Sequence, residues 1–275
     1  MLRRKIAAEL ERWLKSSEQK ALFITGSRQI GKSYSIRAFG KANHATFIEL
    51  NLMENRQAKD AHLEARDADD FISRVTLLSG KSIAPGKTLV FIDEVQEAPD
   101  IMTMAKFLVE DGRCRWAFSG SMLGTQFKGV RSYPVGYVHE LRMFPLDFEE
   151  FCWAIGVSEG ARQTIRDACI SEKPIPDYIH DAMMANFRTY TVVGGMPEVV
   201  QRFLDTRGDL ASVRQLQSEL NEQYRRDISK YASGRALQVQ SIYDQLPIML
   251  EGENKRFVLN SIDPKAHYDK YQRDF

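Results

Sequence analysis

Two rhythms of hydrophobic and polar positions run along this chain, and one gives way to the other near Gly156. Before that point, short continuous apolar runs recur at 21–25, 45–50, 88–93, 115–121 and 135–144. Runs of this length, rich in Ile, Val and Phe and separated by Gly and Pro, predict strands buried on both faces, as in a parallel sheet. Between them, apolar positions return every three or four residues. Leu2, Ile6, Leu10, Trp13 and Leu14 predict an opening amphipathic helix, with Arg3 and Arg4 solvated at its start. A second helix is expected over 33–39, closed by Gly40. Residues 54–80 are helix-rich, with Asp69 as N-cap and Gly80 as stop, and Pro85-Gly86 makes a turn. A helix over 100–110 ends at Gly112, and Asp147 with Glu150 has capping-box spacing for a helix reaching Ile155. Beyond Gly156 the strand rhythm stops, and helices are expected over 158–172, 176–193, 197–206, 209–230 and 236–250.

Chemistry enters at the first strand. Gly26-Ser27-Arg28-Gln29-Ile30-Gly31-Lys32-Ser33 matches G-x-x-x-x-G-K-[ST], between a predicted strand and a predicted helix. Glycines there let backbone N–H groups turn onto phosphates, and the helix N-terminus favours negative charge. Lys32 is the candidate for the β- and γ-phosphates, and the Ser33 hydroxyl for Mg²⁺. Tyr34, the next residue, is placed with the same nucleotide site.

About 60 residues on, the run Leu89-Val-Phe-Ile ends in Asp93-Glu94, the pattern of a Walker B strand. Asp93 is the expected metal-holding carboxylate, and Glu94 the group that polarises an attacking water.

Composition narrows the class. The chain has 275 residues, 43% apolar and 27% charged, with a formal net charge of +1. These values suit an ordinary globular protein and supply no global attraction to nucleic acid. Three cysteines, Cys114, Cys152 and Cys169, have no metal spacing and predict a reducing interior. Glu9 and Glu11 interrupt any signal-like core, and no apolar run could span a bilayer, so a cytoplasmic location without membrane contact is expected.

The two Walker motifs, Ser119-Gly120-Ser121 and Phe144-Pro-Leu-Asp-Phe-Glu-Glu-Phe151 occur in that order, and together they resemble a family of prokaryotic AAA+-like P-loop ATPases. Members of that family usually carry a C-terminal domain of unknown function. Val193-Gly194-Gly195-Met196-Pro197 resembles the G-x-P element of signal-transducing (STAND-type) ATPases, which implies that Pro197 packs near bound nucleotide. Tyr224-Arg-Arg-Asp-Ile228 and Glu253-Asn-Lys-Arg-Phe257 are similar to the family's helical region.

The resemblance implies an α/β P-loop NTPase with a parallel five-stranded sheet ordered 5-1-4-3-2. Over it would lie a C-terminal helical lid and a partial winged-helix region. The corresponding bounds are 1–156 for the core, 157–235 for the lid and 236–275 for the winged-helix-like segment. It also implies a sensor-1 role for Ser119 or Ser121, facing the γ-phosphate or the attacking water.

Relatives carry Gly-Arg where this chain has Gly136-Tyr137, so no arginine finger is carried over. Lys128 and Arg131 are assigned no role. The chain ends after Asp263-Pro264, within what looks like a winged helix, which reads as a truncation of the family pattern. Expected cofactors are ATP and Mg²⁺, with a DNA or protein partner at the C-terminal region. The expected activity is Mg-ATP hydrolysis that drives or gates a conformational change. Two alternatives stay open: a slow regulatory switch that holds ADP, and a DNA-processing ATPase lacking its last domain.

Overall fold

The structure, a computed structural model, describes residues 2–61, 64–121, 134–232 and 234–252. It divides into two units, Met1–Asp205 and Thr206–Phe275.

In the first unit, helix α1 (Ile6–Lys15) leads into strand β1 (Ala21–Thr25). Then come α2 (Lys32–Asn43), β2 (Thr46–Asn51), α3 (Arg56–Ala61), α4 (Ala68–Ser79) and β3 (Thr88–Asp93). Two short 3₁₀ turns, Val95–Glu97 and Pro99–Met104, precede α5 (Ala105–Asp111), β4 (Arg115–Gly120) and β5 (Val138–Arg142). Helices α6 (Phe148–Ala154), α7 (Glu159–Ser171), α8 (Asp177–Val193) and α9 (Pro197–Asp205) complete the unit.

All strand pairings are parallel, and the order is β2-β3-β4-β1-β5. Read from the other edge, this is the expected 5-1-4-3-2. The continuous apolar runs are explained by helices on both faces. Leu22, Ile24, Leu89, Phe91 and Ala117 pack with Ile6, Leu10 and Trp13 of α1 and with Ile36 and Phe39 of α2. Their alternate neighbours Phe23, Val90, Ile92, Trp116 and Phe118 pack with Phe71, Ile72 and Val75 of α4 and with Leu108 of α5. Period-two alternation thus splits each run between two cores.

Several boundaries follow local chemistry as expected. Gly80 and Gly112 end α4 and α5 in the left-handed conformation, at φ of 63° and 70°. Asp147 accepts from the Glu150 N–H, and Glu150 reaches back to the Asp147 N–H, which completes the capping box of α6.

Two expectations are corrected. Asp67, not Asp69, caps α4 by accepting from the Asp70 N–H at 2.9 Å, while Asp69 is drawn into an ion pair with Arg113 at 2.6 Å. Helix α2 is not closed by Gly40 but continues to Asn43. A Cβ on Gly40 would stand 2.4 Å from the Phe47 ring, so this glycine sets how closely α2 lies on the sheet.

The second unit is described as a helix pair, α10 (Leu210–Tyr231) and α11 (Ala236–Glu251). Asp209 caps α10, Arg225 pairs with Asp244 at 2.8 Å, and the Tyr243 hydroxyl donates to Asn221 Oδ1 at 2.6 Å. No helix among the described residues is long and apolar enough to cross a membrane. Lys128, Arg131, Glu253–257 and the Asp263-Pro264 helix start lie outside the described residues.

Gly40→Val should lower stability by about 1–3 kcal/mol, because overpacking against Phe47 and Leu89 exceeds the small gain in helix propensity. Urea unfolding checks this. A lower midpoint with unchanged slope is expected, and an unchanged midpoint would mean that Phe47 yields freely.

Candidate functional site

Parallel register gathers the C-terminal ends of β1, β3 and β4. Thr25 is level with Gly120, and Ile92 with Phe118. Chain segments leaving these strands therefore meet above one edge of the core.

The segment after β1 turns sharply. Gly26 has φ +148°, and a Cβ there would lie 2.3 Å from the carbonyl oxygen of Met143, so only glycine fits. Gln29 and Gly31 are also left-handed, at 63° and 91°, and Gly31 becomes the N-cap of α2. No side chain caps this helix, so its first N–H groups and dipole face the loop without a built-in anion. Ser27 and Gln29 are exposed, Arg28 is half-buried and Ile30 is fully buried beneath the loop.

Lys32 is 7% exposed, and its Nζ donates to the carbonyls of Gly26 at 3.0 Å and Ser27 at 2.6 Å. Burial pushes its pKa down from the ordinary lysine value, and the carboxylates of Glu94 and Asp93 act in the opposite sense. Ser33 is half-buried in the first turn of α2, and Tyr34 beside it is exposed.

At the end of β3, Asp93 is 3% exposed. One of its oxygens, Oδ1, accepts from the Ser119 hydroxyl and from the Glu94 N–H at 3.0 Å. Asp93 and Ser119 end neighbouring strands, which is why they meet. Glu94 then takes a left-handed backbone, φ 59° and ψ 46°, that starts the first 3₁₀ turn. Such a conformation in a residue with a side chain costs on the order of 1–3 kcal/mol and concentrates at functional sites. Ser121 is buried, and its Oγ has no hydrogen-bond partner among the described residues.

The structure therefore brings Lys32, Ser33, Asp93, Glu94 and Ser119 to one end of the sheet. The uncapped helix start, the glycine that no Cβ could replace and the buried ammonium fit a polyphosphate. The Ser33 hydroxyl and the Asp93 carboxylate are hard oxygen donors of the kind Mg²⁺ takes.

Pro197 opens α9. Just before it, the Gly195 carbonyl accepts from the Leu146 N–H at 2.7 Å, and a Cβ on Gly195 would lie 2.2 Å from the Leu146 oxygen. Tyr190 donates its hydroxyl to that oxygen at 2.8 Å, and Met196 packs on the cluster holding Ile30 and Met143. The segment carrying Pro197 thus rests on the connection from β5 to α6.

Arg4 is the residue that sequence reasoning missed. It is not solvated. Its guanidinium donates to the carbonyl of Ile30 at 2.8 Å and of Phe144 at 2.7 Å, and pairs with buried Glu150 at 3.2 Å. Arg3 instead lies over the Trp153 ring, 4.4 Å from its centroid. Arg4 clamps the loop from Gly26 to Gly31 to the start of α6. The signal for this, a basic residue before an amphipathic helix, is too common to single it out.

Residues 18–152 match the family model described as an AAA domain. That segment contains the whole five-stranded parallel sheet, an α/β P-loop NTPase fold. Residues 184–272 match a second model, described as a domain of unknown function (DUF8612). Among solved structures, C. elegans PCH-2 is 10% identical with a TM-score of 0.41, over 77% of this chain and 66% of that one. The Thermotoga maritima RuvB Holliday junction branch migration motor is 11% identical with a TM-score of 0.39, over 83% of this chain and 75% of that one. No curated protein matches the chain.

Arg4→Ala would leave Glu150 buried without its partner, and stability should fall by about 3 kcal/mol. Arg4→Lys should recover only part of this, since a single ammonium cannot serve the two carbonyls and the carboxylate as a planar fork does. Denaturant midpoints of the three proteins check both statements.

Proposed function

We propose that this chain binds Mg-ATP on the loop from Gly26 to Ser33 and hydrolyses it to ADP and phosphate, using the cycle to drive or gate a conformational change. The observation that carries the reading is the convergence of a buried Lys32, at the start of α2, with Asp93 and Glu94 at the C-terminal end of β3.

In this reading the N–H groups from Ser27 to Tyr34 hold the phosphates. Lys32 gives up its contacts with the Gly26 and Ser27 carbonyls and turns its ammonium onto the β- and γ-phosphate oxygens, where negative charge grows during transfer. Ser33 and Asp93 would hold the metal, and Mg²⁺ there would neutralise phosphate charge. Glu94 orients a water in line with the γ-phosphate and accepts its proton. Ser119, through its hydrogen bond to Asp93, keeps that carboxylate aimed, which replaces a direct sensor contact as its proposed role. The choice of ATP, the lid and the placement of Pro197 near the nucleotide rest on the family resemblance.

A slow switch retaining ADP is the second reading, favoured by the seating of Gly195 on Leu146, which joins the segment before Pro197 to the connection that also clamps the phosphate loop. A DNA or protein partner at the C-terminal region, and a winged-helix element over 236–275, belong to the same proposal.

Lys32→Ala should abolish nucleotide binding, measured by titration with a fluorescent ATP analogue. Glu94→Gln should bind as the wild type does but release phosphate at least ~10²-fold more slowly. Phosphate release from Mg-ATP, with and without duplex DNA, decides among the readings. Turnover that depends on Glu94 supports hydrolysis, and a rise with DNA adds a nucleic-acid partner. Retained ADP without turnover turns the reading to a switch.

A further inference from the structure

The 3₁₀ turn after Glu94 carries a side chain that neither Walker motif includes. Gln96 is half-buried, and its carboxamide is used at both ends. Its Nε2–H donates to Glu94 Oε2, and its Oε1 accepts from the Ser121 N–H at 3.2 Å. The two partners fix the orientation of the amide. A carboxylate only accepts and a backbone N–H only donates, so nitrogen must face Glu94 and oxygen must face Ser121. Gly120 makes room for this, because a Cβ there would already stand 3.2 Å from Gln96 Oε1.

We infer that Gln96 is a positioning residue for Glu94, tying the carboxylate that faces the water to the C-terminal end of β4. The inference rests on the proposed role of Glu94 and adds to it. The backbone of Glu94 is left-handed, which swings its side chain out of the line of β3, and that backbone conformation alone does not select one rotamer of a long, flexible carboxylate. The Gln96 bridge supplies that selection and refers it to β4, the strand whose Ser119 also steadies Asp93. Both Walker B carboxylates are then aimed from the same strand end. A misplacement of about 1 Å at such a group can slow a reaction ~10²-fold, so the bridge belongs to turnover rather than to nucleotide affinity.

Gln96→Glu is the discriminating variant. It keeps the shape and the acceptor for the Ser121 N–H but replaces the donor to Glu94 with a second carboxylate. We expect kcat to fall roughly 10- to 100-fold, with nucleotide Kd and unfolding midpoint within about twofold and a few degrees of the wild type. Gln96→Met, of similar length and without donor or acceptor, should show the same loss of kcat, and it decides the matter where the glutamate variant does not fold.

Glu94→Gln and the double variant Glu94→Gln/Gln96→Glu are measured alongside. The second change should add no further loss once Glu94 is gone. A Gln96→Glu rate at or above wild type, beside a slow Glu94→Gln, overturns the positioning role alone. Equal losses from Gln96→Glu in both backgrounds also overturn it, since Gln96 would then act apart from Glu94. A full rate for Glu94→Gln overturns the underlying reading of Glu94 instead.

Discussion

The arrangement depends on one close approach, that of the Gly26 backbone to the carbonyl of Met143. At 2.3 Å from where a Cβ would sit, no side chain fits. Because β1 and β5 are paired and the Met143 N–H just beyond β5 donates to Thr25 O at 2.8 Å, the loop after β1 leaves the sheet pressed against the segment that leads to α6. That contact makes the loop a surface shared by two chain segments rather than an independent hairpin. Ile30, fully buried beneath it, and Arg4, bonded to the Ile30 carbonyl, hold it from the other sides.

From this contact a continuous set of interactions leads outward. Arg4 joins Ile30 to Phe144 and Glu150, Glu150 completes the cap of α6, and Leu146 between them receives Gly195 and Tyr190. Each partner is a backbone carbonyl, a buried carboxylate or a glycine with no room for a Cβ. Such contacts do not slide gradually, because a buried polar group either has its partner or loses on the order of 1–3 kcal/mol. These contacts connect the loop from Gly26 to Gly31, the start of α6 and the segment before Pro197 within the first unit.

At the other side of the site, electrostatics and backbone strain are set against stability. Lys32 is buried at a cost that its two carbonyl partners and the nearby carboxylates offset in part. Glu94 sits in a backbone conformation that most residues avoid. Both features are unfavourable for folding, and both are the kind of arrangement that a polyanion and a metal would repay.

The sequence by itself determined what depends on neighbours along the chain. Continuous apolar runs meant doubly covered strands. Gly80, Gly112 and the Asp147–Glu150 pair marked helix ends, and the loop from Gly26 to Ser33 with Asp93-Glu94 marked the candidate site. In each case, cause and consequence lie within a few residues. Only the tertiary structure decided the rest. Gly40 could not be told from a helix stop until Phe47 was seen against it, and Asp69 lost the cap of α4 to Asp67 because Arg113 draws it elsewhere. Arg4 gained its place from partners up to 146 positions away, and Gln96 from a strand end brought beside it by the order of the sheet. Local steric and capping preferences are written in short stretches of sequence. Which polar groups end up buried together is set by strand order and register, and no short stretch contains that information.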